Sequence, residues 1–138
     1  MLRASVSFVL LGIVLFSGCA PASGTRRAVQ GTVKFQGALL DQGTITFLNE
    51  TGPATPVAGA MIQNGRFEIP ALQGLDPGKY RISIRSPEPS PPITPAEYAA
   101  GKMPLEAKER IPASFNTDSK EIVEVQASGS NAFDFDVK

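Results

Sequence analysis

Histidine and tryptophan are absent from this 138-residue sequence, and cysteine occurs once, at Cys19. The missing histidine removes the commonest general base and the commonest metal ligand. With no tryptophan, and tyrosine only at Tyr80 and Tyr98, few flat aromatic platforms remain for stacking sugars or bases. A lone cysteine has no disulfide partner within the chain. Net charge is lacking too: 13 Lys and Arg balance 13 Asp and Glu. That balance argues against a nucleic-acid partner, which calls for a basic excess, and removes any whole-protein field that would steer a charged ligand. The apolar run at residues 4–16 is 13 residues long, short of the roughly 20 that a spanning helix needs. What the chain does have is 13 Gly and 12 Pro in a length that suits one domain. That composition fits a turn-rich all-β domain.

Arg3 and the run at 4–16 make the charged and apolar parts of a secretory signal. The run ends in Phe16-Ser17-Gly18-Cys19, where small residues leave the backbone open to a peptidase. Leu15-Phe16-Ser17-Gly18-Cys19 resembles the lipobox of bacterial lipoproteins, with Phe16 where the usual pattern has leucine. The resemblance implies that the Cys19 thiol receives a diacylglycerol and that cleavage falls between Gly18 and Cys19. Residues 1–18 are then a signal peptide, and Cys19 is a membrane anchor carrying fatty-acyl chains such as palmitate. The competing readings are an ordinary signal with a leftover thiol, or an uncleaved anchor. Each buried CH₂ contributes roughly 0.8 kcal/mol, so two chains hold a protein stably on a bilayer. Residues 20–28 lack apolar periodicity and read as a flexible tether, with an end-to-end distance of roughly 15–18 Å. Arg26-Arg27 is too small a cluster to bind headgroups by charge and reads as solvated. Ala20 lacks the aspartate that retains some lipoproteins on the inner membrane, which leans toward an outer-membrane, periplasm- or surface-facing location.

Beyond residue 28 the dominant signal is two-residue alternation, the mark of half-buried strands. It is clearest at 63–85. There Phe67 and Ile69 oppose Arg66 and Glu68, Asp76-Pro77-Gly78 turns the chain, and Tyr80, Ile82 and Ile84 alternate with charged and polar neighbours. Asn64-Gly65 is a hairpin signal, because both residues tolerate positive φ. Further strands are expected at 29–36, 44–49, 57–62, 120–127 and 132–138, the fourth of these buried on both sides near one end because Ile122 opposes Val123 and Val125. The count of seven strands matches an antiparallel β-sandwich over residues 29–138. Its expected core is Val29, Val33, Phe35, Ile45, Phe47, Phe67, Ile69, Tyr80, Ile82, Ile84, Val123, Val125, Phe133 and Phe135. A Pro-rich insert at 87–119 interrupts the pattern. Within it Thr94-Pro95-Ala96-Glu97 reads as a capping box opening a short helix to Ala100, with Gly101 after it. Residues 105–110 suggest a second helical turn.

Gly31 to Phe47 follow the pattern G-x-V-x-F-x-G-x-x-L-x-x-G-x-I-x-F. With Asn64-Gly65-Arg66-Phe67 and Pro77-Gly78-Lys79-Tyr80-Arg81-Ile82, they resemble the carboxypeptidase-regulatory-like and transthyretin-like β-sandwich domains. The tail, Ile111-Pro112, Phe115-Asn116, Val123-Glu124-Val125 and 131–135, is similar to that of small bacterial lipoproteins carrying one such domain. These are turn-and-strand signatures, so they speak for fold more than for function.

Candidate chemistry is sparse. The transthyretin-like hydrolase of purine breakdown relies on histidines, which this chain lacks. Asp134 and Asp136 share the polar face of the last strand, about 7 Å apart, and two such carboxylates could contribute to a calcium site. Against that, they also fit a solvated strand face. Lys34, Glu68 and Asn131 occur in the order of an isopeptide cross-link, but Lys34 and Glu68 fall on polar faces. No catalytic residue, cofactor or metal site is assigned. The insert at 87–119 reads equally as a binding loop or as a cover for a sheet edge. The expectation is a non-enzymatic, membrane-anchored β-domain with an envelope protein or glycan as partner. Its alternatives are an accessory subunit of a secreted hydrolase or transporter, and a calcium-dependent binder or hydrolase.

Overall fold

The computed structural model describes residues 25–138. The signal segment, Gly18 and Cys19 lie outside the described residues. Eight strands follow in order: β1 (Val29–Phe35), β2 (Ala38–Leu39), β3 (Gln42–Asn49), β4 (Pro56–Gln63), β5 (Arg66–Ile69), β6 (Gly78–Arg85), β7 (Ile122–Val125) and β8 (Ala132–Val137), with one short helix, α1 (Pro95–Ala99), between β6 and β7. The strand beyond the expected seven is β2. It exists because Gln36 and Gly37, at φ 51° and 82°, fold the chain back onto β1.

All eight strands belong to one sheet, in the order β2-β1-β5-β4-β3-β6-β7, with β8 also on β1, and the sheet is curled into a half-barrel. Every pairing is antiparallel except that of β1 with β8, which is parallel over Gln30↔Ala132 to Phe35↔Val137. This corrects the expectation of a wholly antiparallel arrangement. The physical reason is the connection: β7 and β8 are consecutive yet lie at opposite ends of the sheet path. The six residues between them reach at most about 25 Å, so the curl must bring the two ends close. Asn131 holds the connection from within, accepting the Gln126 N–H at 2.7 Å and donating to the Gln126 carbonyl at 3.3 Å.

β4 and β5 are joined through a single residue pair, Gln63↔Arg66, around Asn64-Gly65 at φ 49° and 74°. Positive φ at both central residues is the geometry that matches strand twist in a two-residue hairpin. Beyond that pair β4 and β5 lie side by side without further ladder pairing, and the two halves of the curl face one another across one core. The rings of Phe47 on β3 and Phe67 on β5 lie 6.3 Å apart, and Phe67 lies 6.3 Å from Phe135 on β8. Each such side chain contributes roughly 1.5–3 kcal/mol by leaving water.

Ten of the expected core residues are buried, namely Val29, Val33, Ile45, Phe47, Phe67, Ile69, Ile82, Ile84, Val125 and Phe135. Phe35, Tyr80, Val123 and Phe133 pack against them half-buried. Leu40, Ile62, Leu75, Ile111 and Val137 complete the core. Ile122 is exposed, so β7 is not buried on both sides. Gly31 marks the tightest approach in the sheet: a Cβ there would lie 1.9 Å from the Phe133 carbonyl oxygen.

The fold has two poles. Thr25 hydrogen-bonds Asp76, and Arg27 pairs with Leu75 through N–H···O bonds of 2.7 and 3.1 Å, so the chain enters beside the start of β6. The tether expected at 20–28 therefore joins the sheet by Arg27, which is half-buried. The hairpin turns at Gln36-Gly37 and Asn64-Gly65, and the insert after β6, lie at the other end of the strands.

Candidate functional site

Alternation along β6 points Ile82 and Ile84 inward and carries the next inward position onto a polar residue, Ser86, which is fully buried. A buried hydroxyl must be satisfied, and here it closes the base of the Pro-rich insert. The Ser86 hydroxyl donates to the Gln42 carbonyl at 2.5 Å, and Arg110 Nη2 donates to that hydroxyl and to Asp41 Oδ1 at 2.6 Å. Arg110 Nε and the Arg110 backbone N–H both donate to the Ser86 carbonyl at 3.2 Å. Glu109 Oε1 accepts from the N–H groups of Ser86 and Ile111 at 2.8 and 3.0 Å. One turn further out the Glu88 N–H donates to the Lys108 carbonyl at 2.8 Å. The Arg110 guanidinium, hydrogen-bonded to Asp41, holds that carboxyl below its ordinary range, with the Gln42 backbone adding to the effect.

Above this clamp the chain from 89 to 107 projects from the sheet. α1 is organised as its sequence indicates: the Glu97 N–H donates to Thr94 Oγ1 at 3.3 Å, and the Thr94 N–H donates to Glu97 Oε2 at 2.9 Å. Pro95 occupies the first helical position, and Gly101 ends the turn at φ 81°. Lys102 pairs with Glu97 at 3.0 Å. These contacts hold the Glu97 carboxyl below its ordinary range, the Thr94 backbone bond first among them. The second helical turn expected at 105–110 is not formed. Residues 108–110 run beside 86–88 as a ribbon bridged at Pro87↔Glu109, which commits their backbone to a cross-strand partner. The projecting loop exposes Tyr98 by 68%, Met103 by 76% and Leu105 by 77%, an apolar tip at the pole away from Thr25.

A second feature is a cleft of about 850 Å³ lined by residues of β1, β4, β5 and β8. Its floor is the outer face of three strands in register. Gln30 faces Glu68, and Thr32 lies between Arg66 and Asp134. The Thr32 hydroxyl donates to Asp134. Gly59 and Met61 of β4 form the opposite wall.

Among the described residues, no three Asp, Glu, Cys or His side chains converge as a metal site. Asp134 and Asp136 lie exposed on β8. Lys34, Glu68 and Asn131 are not assembled as a cross-link: Lys34 is exposed, and the buried Asn131 amide is committed to the Gln126 backbone. Sequence reasoning missed the clamp of Asp41, Ser86, Glu109 and Arg110. One signal was present, a serine at the inward position that follows Ile82 and Ile84. Among the described residues no helix is long and apolar enough to cross a membrane. No protein-family model matches the chain, and no match is found among the curated proteins.

Proposed function

We propose that this chain is a lipid-anchored envelope protein whose β-domain binds a partner rather than catalysing a reaction. The observation that carries the reading is polar: the chain enters the fold at the Leu75–Asp76 end, and the clamped Pro-rich loop stands at the opposite end. With Cys19 as the lipid attachment, a short linker leads into that entry, and the loop is held away from the bilayer. Prolines stiffen the loop, which lowers the entropy lost on binding. In this reading the half-barrel is a variant of the two-layered carboxypeptidase-regulatory-like and transthyretin-like domains, supported by the run of glycines and apolar residues from Gly31 to Phe47. The anchored protein faces the periplasm or the cell exterior from the outer membrane. Cys19→Ala tests the anchor: the variant should accumulate as uncleaved precursor and lose lipid labelling, and a normally cleaved, lipid-labelled variant overturns the reading.

A second reading, that of an accessory subunit for a secreted hydrolase or transporter, is favoured by the exposed Tyr98, Met103 and Leu105 at the loop tip. Such a tip suits a protein surface better than a sugar. Pull-down of the lipidated protein from its own envelope separates the two. One stoichiometric enzyme or transporter partner supports the accessory role, and recovery without one counts against it.

A further inference from the structure

Arg26 and Arg27 enter the fold differently. Arg26 is exposed, as expected of a solvated residue, but Arg27 is half-buried. Its Nε is buried without a hydrogen-bond partner, the one side-chain polar atom so placed among the described residues. An unpaired donor on a buried cationic group is costly, so the site calls for an acceptor. Arg27 borders a pocket of about 210 Å³, smaller than the roughly 300 Å³ at which pockets for drug-sized ligands begin. Ser130 brings a hydroxyl to it and Glu68 a carboxylate. Among the described residues neither Arg27 nor Glu68 is in an ion pair, with the other or with any third group. The pocket lies at the pole where the chain enters. The turn Pro70-Ala71-Leu72 between β5 and β6 lies at the same pole, and all three of its residues are exposed, Leu72 by 86%. Thr25 is six residues from Cys19, a span of at most about 22 Å.

We propose that this pole is a membrane-contact face, on which the Arg27 pocket takes the phosphate of a phospholipid headgroup and Leu72 enters the interface beside it. The step rests on the anchored reading above. A short tether holds the pole at a millimolar effective concentration to the bilayer. One cation and one leucine are then enough to orient the domain, although neither would capture a free protein from solution. Glu68 sets the kind of headgroup. With one guanidinium and one carboxylate the pocket is neutral as a whole, and it fits a zwitterion, phosphate at Arg27 and ammonium at Glu68, better than a headgroup with negative charge alone. That zwitterion is phosphoethanolamine. A protein partner is disfavoured here, because the short span leaves little space between this pole and the bilayer.

The test uses the full lipidated chain in vesicles of equal parts phosphatidylethanolamine and phosphatidylcholine. With the Cys19 thiol lipidated, Ala71→Cys and Leu105→Cys each offer one free thiol for an environment-sensitive fluorophore. The label on Ala71→Cys should shift to the blue and be quenched by lipid brominated on its acyl chains. The label on Leu105→Cys, at the far pole, should do neither. Adding Arg27→Gln or Leu72→Ser should lower the quenching at Ala71→Cys toward the Leu105→Cys level. Arg27→Gln should leave the denaturation midpoint in place, because the Arg27 Nε has no partner in the fold. Exchanging phosphatidylethanolamine for phosphatidylglycerol should also weaken the quenching, and Glu68→Gln should remove that difference. Equal quenching at the two poles, none at Ala71→Cys, or quenching that survives both Arg27→Gln and Leu72→Ser overturns the proposal. So does reversal by inorganic phosphate, which identifies a free anion as the occupant. The mass of the same sample reads the lipid on Cys19. A chain without it overturns the anchored reading and this proposal together, whereas a lipidated chain without quenching overturns this proposal alone.

Discussion

Replacing Arg110 by alanine should open the base of the Pro-rich loop and leave the half-barrel folded. The guanidinium makes four hydrogen bonds, to the Ser86 hydroxyl, the Ser86 carbonyl, Asp41 and the Gln42 carbonyl. They are unequal. Asp41 is exposed, so solvent and salt screen its ion pair with Arg110 and that pair contributes little. A charge-assisted bond to a buried group is worth roughly 1.5–3 kcal/mol, but Ser86 keeps other partners when Arg110 is lost. Its hydroxyl still reaches the Gln42 carbonyl, and its own carbonyl still accepts the backbone N–H of residue 110. No buried group is orphaned, so the total cost is about 2–3 kcal/mol, less than the roughly 5–15 kcal/mol that holds a domain folded. Chemical denaturation should show a stability loss of that order. Amide exchange should accelerate most at Glu88 and at residue 110, whose N–H groups close the ribbon. An acid limb follows from Asp41. Its carboxyl is depressed in the fold, so its contribution is complete above the ordinary value of 3.8 and is lost as pH falls through the lowered one. In Arg110→Ala that carboxyl should titrate at higher pH than in the wild type, moving toward the ordinary range, with the Gln42 backbone still holding it down in part, followed by its carbon chemical shift. Unchanged exchange at the loop base, or global unfolding of the variant, refutes the clamp.

Gly31→Ala should be more damaging than its size suggests, because its Cβ would lie 1.9 Å from the Phe133 carbonyl and 2.8 Å from the Phe67 ring. β8 has to move off β1, and a loss of more than about 3 kcal/mol is expected, beyond ordinary overpacking; wild-type stability of the variant contradicts the parallel β1–β8 register. Asn131→Ala leaves the Gln126 N–H and carbonyl without their partner and should cost about 1–3 kcal/mol, measured by denaturant midpoint, with faster exchange at Gln126.

Alternation made most of the sheet legible. The inward faces of β1, β3, β5, β6 and β8 could be read residue by residue from Val29 to Phe135. What it could not supply was anything that depends on distant pairing. β2 is two residues long and carries no period. Leu40, Leu75 and Ile111 are buried from connections, where they plug the open ends of the curl, and a loop residue announces no face. The parallel pairing of β8 with β1 is fixed by closure of the sheet and not by either strand's own pattern. Local spacing at 105–110 resembles a helical turn, whereas the bridge from Pro87 to Glu109 and the Ser86 clamp commit residues 108–110 to a ribbon beside 86–88. The capping box at Thr94–Glu97 was legible because every group it needs lies within four residues. The clamp draws on Asp41, Ser86 and Arg110, far apart in sequence, and only the inward serine hinted at it.

The most direct measurement of the anchored reading is the intact mass and N-terminal fragment spectrum of the protein taken from its native membrane. A mature chain should begin at Cys19 and carry the added mass of a diacylglycerol on the thiol. A chain that begins elsewhere, or that begins at Cys19 with a free thiol, contradicts the lipid anchor and with it the outward display of the Pro-rich loop.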